Sequence, residues 1–119
     1  MIHLDVRLYP DGCLAGFCAS GHAGAGAGGE GIVCAAATAL LRTAARLLAG
    51  QNELKVDGSS PQPGAMFLCL QDPPAGRREW VRGVTDTLLA GLADLERENP
   101  GRLGLTIHEV TIGEDRYGT

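Results

Sequence analysis

The chain has 119 residues, 45% hydrophobic and 20% charged, a balance that buries one ordinary core and excludes a disordered or fibrous polymer. Ten basic against fourteen acidic residues leave a net charge of −4, the wrong sign for gripping a nucleic-acid backbone. The strongest bias is eighteen glycines beside one Trp, two Tyr and two Phe. Glycine is costly in chain entropy, so such a count belongs where the backbone needs freedom.

Ile2, Leu4, Val6 and Leu8 alternate with His3, Asp5, Arg7 and Tyr9, the period of a half-buried strand. Asp5 and Arg7 inside this run exclude a signal-peptide core. Pro10-Asp11-Gly12 is turn chemistry, and Cys13 to Ser20 returns as a second strand that closes a hairpin. Gly21 to Gly31 reads as a loop with six glycines. The spacing then predicts a helix from Ile32 to Ala49, stopped by Gly50. Val33, Ala37, Leu40, Ala44 and Leu47 fall on its apolar face, with Arg42 and Arg46 off it. The longest apolar stretch, Ile32 to Leu41, is short for a membrane span.

Residues 51–64, rich in Gly, Ser and Pro, read as a surface loop. Ala65 to Gln71 is a short apolar strand, ended by Asp72-Pro73-Pro74. Trp80, Val84, Leu88, Leu92 and Leu95 recur at three or four, which predicts a second helix from near Gly76 to Glu98. Asn99-Pro100-Gly101 breaks it, and Leu103, Leu105 and Ile107 alternate in a last strand reaching toward Ile112, before a polar tail. The order is β-β-α-β-α-β. It predicts an α+β fold of one mostly antiparallel sheet with two helices packed on it, a single domain over residues 1–119. With no targeting segment in view, the expected location is cytoplasmic, where Cys13, Cys18, Cys34 and Cys69 stay reduced. They form no C-x-x-C, and His3, His22 and His108 are scattered, so no metal is expected.

The chemistry concentrates between Gly21 and Cys34. At the start of a helix, unpaired amides and the macrodipole favour an anion, which lowers a thiol's pKa. Placed in the first turn of a helix starting at Ile32, Cys34 gains that advantage, and the same amides can supply an oxyanion hole. His22 lies twelve residues upstream at a strand end, and a flexible loop can fold its imidazole back onto the sulfur. The bland reading is that a free Cys in an Ala-rich helix is a small core residue. Against it, Cys34 is set about 100° round from Val33, in register with Thr38 and Arg42, on the way to the polar side.

Gly21-His22-Ala23, a Gly-rich loop and then Ile32-Val33-Cys34-Ala35-Ala36-Ala37-Thr38-Ala39-Leu40 together resemble the signature of the ribosomal-processing cysteine proteases. The resemblance covers nearly the whole chain in length and element order. It implies a cysteine peptidase with Cys34 as nucleophile and His22 as general base, and no metal or organic cofactor. Gly21, Ala23, Gly29, Glu30 and Gly31 on the loop, with Ala35 and Thr38 on the helix, would then flank the substrate. The substrate that the resemblance implies is the N-terminal extension of large-subunit ribosomal protein L twenty-seven, cut after an aromatic residue. The resemblance also implies a homodimer, with no direct contact to nucleic acid or membrane. Two positions depart from the family pattern: Gly31 stands where the family has Asp, and Thr38 where it has Ser. An Asp at position 31 would cap the helix or orient the imidazole, and Glu30 is its nearest substitute.

Two other readings compete. One is a non-catalytic ribosome-associated interaction module of the same fold. The other is nucleotide binding, because Gly24-Ala25-Gly26-Ala27-Gly28-Gly29 is a literal G-x-G-x-x-G ahead of a helix. That fingerprint requires a parallel strand feeding the helix inside a βαβ unit, whereas the strand here belongs to a hairpin. Cys13, Cys18 and Cys69 are expected as packing residues, His3 and His108 in solvent, and Trp80 as a core or dimer anchor. Arg77-Arg78 reads as a short solvated pair.

Overall fold

The computed structural model of the chain describes residues 1–21, 28–62 and 65–110, with all side chains among them except those of residues 28–30 and 60–62. The strands are β1 (Ile2–Leu8), β2 (Leu14–Ser20), β3 (Val56–Gln62), β4 (Ala65–Leu70) and β5 (Leu103–Glu109). The helices are α1 (Gly28–Ala49), between β2 and β3, and α2 (Arg78–Glu98), between β4 and β5 and preceded by one 3-10 turn at Ala75–Arg77. The strands form one sheet in the order β3-β4-β2-β1-β5. Only the β1–β5 pair is parallel, so the α+β class and the mostly antiparallel sheet stand as the sequence implies.

Alternation decides which face is covered. Leu4, Val6, Phe17, Leu68 and Leu103 share a buried cluster with Val33, Leu41 and Leu48 of α1 and Val81, Leu88 and Leu92 of α2. The intervening His3, Asp5, Arg7, Cys18, Thr106 and His108 are exposed on the opposite face of the sheet. His3 and His108 are thus in solvent, where their spacing put them. Cys18 and Cys69 are corrections: the first is exposed and the second only half-buried. Cys13, by contrast, is sealed.

Three elements differ from the sequence reading. The segment read as a loop contains β3, whose composition, Val-Asp-Gly-Ser-Ser-Pro-Gln, carries no apolar alternation. It is tolerated because β3 is an edge strand, where Pro61 need not donate to a second neighbour, and its register shifts between Ser59 and Gln62. α1 begins at Gly28, four residues before Ile32. Its buried stripe is Val33, Ala37, Leu41, Ala44 and Leu48, while Leu47 is 47% exposed. β5 ends at Glu109, and the expected extension to Ile112 and the tail fall outside the described residues.

By length and composition alone, Gly31–Ala49 of α1 would suffice to cross a membrane, more than the run Ile32 to Leu41 implies. Its stripe is instead committed to the sheet, and Arg42 and Arg46 stand on the exposed side.

Polar ties fix α2 to the hairpin. Buried Thr85 accepts a hydrogen bond from the Leu14 amide at 3.0 Å and donates to the Val81 carbonyl at 2.8 Å. Arg78 is no free solvated residue: it bonds Asp11, Asp72 and the Pro73 carbonyl. Arg77 reaches Glu53 at 3.3 Å and lies 6.0 Å from the Trp80 ring centre. Trp80 itself is half-buried against the core.

Candidate active site

β2 ends at Ser20 and the chain leaves it through Gly21, whose φ of +95° favours glycine. A Cβ there would also collide with the Met1 carbonyl oxygen, so Gly21 is demanded by the backbone. His22 and Ala23, expected as general base and substrate neighbour, lie outside the described residues. Gly29 and Glu30 are in the first turn of α1, with side chains outside the description.

Cys34 is half-buried, packed beside the core next to fully buried Val33, with exposed Ile32 and Ala35 either side of the pair. It is the seventh residue of α1, at the end of the second turn, not in the first as the sequence reading had it. The glycines at 28, 29 and 31 hide the extra turn, because glycine is a poor helix former. The correction has a chemical consequence. The field and unpaired amides of a helix end fade within one turn, so they serve the region of Gly28 to Glu30 and not the sulfur of Cys34.

Gly31 is exposed, and nothing lies within 4 Å of where its Cβ would be. As the fourth residue of α1 it sits inside the first turn, so a side chain here could not be the N-cap. Thr38 is half-buried one turn beyond Cys34 on the same ridge, and Arg42 and Arg46 continue that ridge, both exposed. The sequence reading placed the two arginines off the buried face and gave them no role. Beside them, a groove of about 380 Å³ runs between α1 and the β3–β4 side of the sheet.

The other thiols differ in kind. Burial pushes the Cys13 thiol up to about 11, and its sulfur lies 3.4 Å from the Arg78 carbonyl oxygen. Desolvation also raises Cys18 and Cys69 above the ordinary thiol value. Among the described residues no three His, Cys, Asp or Glu side chains gather as a metal site. The strand before the Gly-rich segment, β2, has only antiparallel neighbours, β1 and β4, and the strand after α1, β3, is separated from it by β4, so the adjacent parallel pair on which a dinucleotide fingerprint sits is not formed there.

No curated protein matches the chain significantly. Among solved structures it is similar to SMU.848 from Streptococcus mutans, at 25% identity and a TM-score of 0.77, covering 92% of this chain and 96% of that one. The essential ribosomal processing protease Prp from S. aureus, solved with a substrate peptide, has 23% identity and a TM-score of 0.73. That likeness covers 90% of this chain and 99% of the other. The same S. aureus protease with a covalently linked product peptide gives 23% identity and a TM-score of 0.72 over the same shares. At that identity these two establish the fold. The sequence profile of the family described as Cysteine protease Prp matches residues 1–103, and on that match this chain belongs to the Cysteine protease Prp family.

Proposed function

We propose that this cysteine protease is an endopeptidase with Cys34 as nucleophile and His22 as general base, and that it removes the N-terminal extension of ribosomal protein L twenty-seven. The observation that carries the reading is the family match, whose span of residues 1–103 includes both members of the dyad. The half-buried position of Cys34, reachable yet braced by the core, and the peptide-bound state of the S. aureus relative support it. The reading further places the enzyme in the cytoplasm as a homodimer that meets a protein substrate and not nucleic acid.

In this mechanism His22 takes the Cys34 thiol proton, and the thiolate attacks the carbonyl carbon of the scissile bond. The tetrahedral intermediate collapses to a thioester as the C–N bond breaks, and His22 returns the proton to the leaving amine. Water, deprotonated by His22, then hydrolyses the thioester and frees the thiol. The test is cleavage of a synthetic peptide spanning the host's own extension, using wild type, Cys34→Ala and His22→Ala. Cleavage at one bond by wild type is expected, with none for Cys34→Ala and a loss of about 10² or more for His22→Ala. A His22→Ala variant that cuts at the wild-type rate rejects the dyad. A folded wild type that leaves a genuine extension intact rejects the peptidase and favours the non-catalytic ribosome-associated module.

A further inference from the structure

β2 is flanked by two glycines in the same uncommon backbone conformation, Gly12 before it with φ +97° and Gly21 after it with φ +95°. Residues with a side chain rarely adopt either. The surroundings of the two differ. A Cβ on Gly12 would meet only the Arg82 Nε, at an ordinary 3.7 Å. A Cβ on Gly21 would run into the Met1 carbonyl oxygen, with the Met1 carbonyl carbon at 3.3 Å and the Ile2 Cα at 3.4 Å behind it.

That wall is backbone, and it is braced. The hairpin pairs His3 with Ser20, so Gly21 leaves the ladder against the start of β1. β1 is an interior strand, held between β2 and β5. The Ile2 amide donates to the Arg102 carbonyl at 3.0 Å, and the Met1 methyl group covers Gly104, where a Cβ would stand 2.7 Å from it. Gly21 is therefore fixed twice, by its own φ and by a wall on the side where a side chain would point.

Consecutive Cα atoms are about 3.8 Å apart, so the point from which residue 22 sets out is fixed with Gly21. Resting on the peptidase reading, we propose that Gly21 is a positioning residue of the reaction, setting the direction in which the chain leaves β2 and so delivering the His22 imidazole to Cys34. A general base works only within hydrogen-bond reach of the proton it takes, and a misplacement of about 1 Å costs about 10² in rate. The role needs no contact between Gly21 and the substrate.

The test reads the dyad without a peptide. Iodoacetamide is attacked by the thiolate, so the labelling rate of Cys34 at about pH 6 measures what the imidazole supplies. It is followed by mass spectrometry on the full chain, with exposed Cys18 in the same sample as the internal reference. Wild type should label Cys34 about tenfold faster than His22→Ala. Gly21→Ala should fall to the His22→Ala rate, and so should a chain with an extra glycine inserted after Gly21. Gly12→Ala, which meets the same φ demand at the other end of β2, should keep the wild-type rate. In peptide cleavage, Gly21→Ala should lower kcat about 10²-fold with KM within about twofold. Circular dichroism checks the fold. The inserted glycine leaves Gly21 and its wall intact, so that chain decides the matter if Gly21→Ala does not fold. Wild-type labelling by a folded Gly21→Ala, or by the chain with the insertion, overturns the proposal and leaves the dyad standing. A loss in Gly12→Ala equal to that in Gly21→Ala also overturns it, because strain at either end of β2 would then suffice. Equal labelling of wild type and His22→Ala rejects the dyad, and the proposal with it.

Discussion

Position 31 joins the local physics of the chain to its chemistry. Gly31 is exposed in the first turn of α1, with open space where a side chain would go. Replacing a helical glycine recovers backbone entropy, and an acidic group in the first turn meets the positive end of the dipole. Gly31→Asp should therefore raise stability by about 1 kcal/mol, read as a higher urea midpoint at unchanged m. In the peptide assay the same variant should cut faster if the Asp of the family pattern orients the imidazole, and at the same rate if its role is confined to the helix. The family was legible in the motif residues, Gly21-His22-Ala23 and Ile32 to Leu40, and the match over residues 1–103 bears it out. The helix start was not, because Gly28, Gly29 and Gly31 oppose helix formation locally and are drawn into it by the stripe that follows.

At the scale of elements, periodicity located both helices and four of the five strands, and its two failures have definite causes. α1 has leucines at 40, 41, 47 and 48, so two stripes satisfy a helical repeat equally well. The structure buries Leu41 and Leu48 against the sheet and turns Leu40 toward α2, where a Cβ on Gly91 would sit 2.9 Å from its side chain. The phase is testable by truncation. Leu48→Ala should cost about 2–5 kcal/mol by leaving a cavity, whereas Leu47→Ala should cost less than about 1 kcal/mol, compared by chemical denaturation. Equal costs would mean that the helix is rotated. β3 escaped notice for another reason: an edge strand with Gly58, Ser59, Ser60 and Pro61 is held by its partner β4 and not by its own propensity. β3 and β4 form one wall of the groove beside Arg42.

For the whole molecule, the join between the β1–β2 turn and α2 carries the pH response. The Arg78 hydrogen bond holds the Asp11 carboxyl well below the usual carboxylate range, so that contribution persists at neutral pH and is lost only as acid passes below its ordinary 3.8. Cys13 acts in the opposite direction. Its thiol is raised by burial from 9.0 to about 11, so the folded state holds its proton longer than the unfolded one. The stability this thiol contributes is complete below pH 9 and is lost between pH 9 and about 11, and Cys13→Ala should lessen the decline over that range in a series of thermal melts. The pairing of strands adds a constraint of a different kind. β1 lies between β2 and β5 and takes β5 as its parallel neighbour, with Ile2 beside Leu103 and Leu8 beside Glu109. The β1–β2 hairpin closes through contacts near in sequence, but its outer edge stays unfilled until a strand about a hundred residues further along docks. That late, long-range closure is the step expected to set the pace at which the sheet is completed.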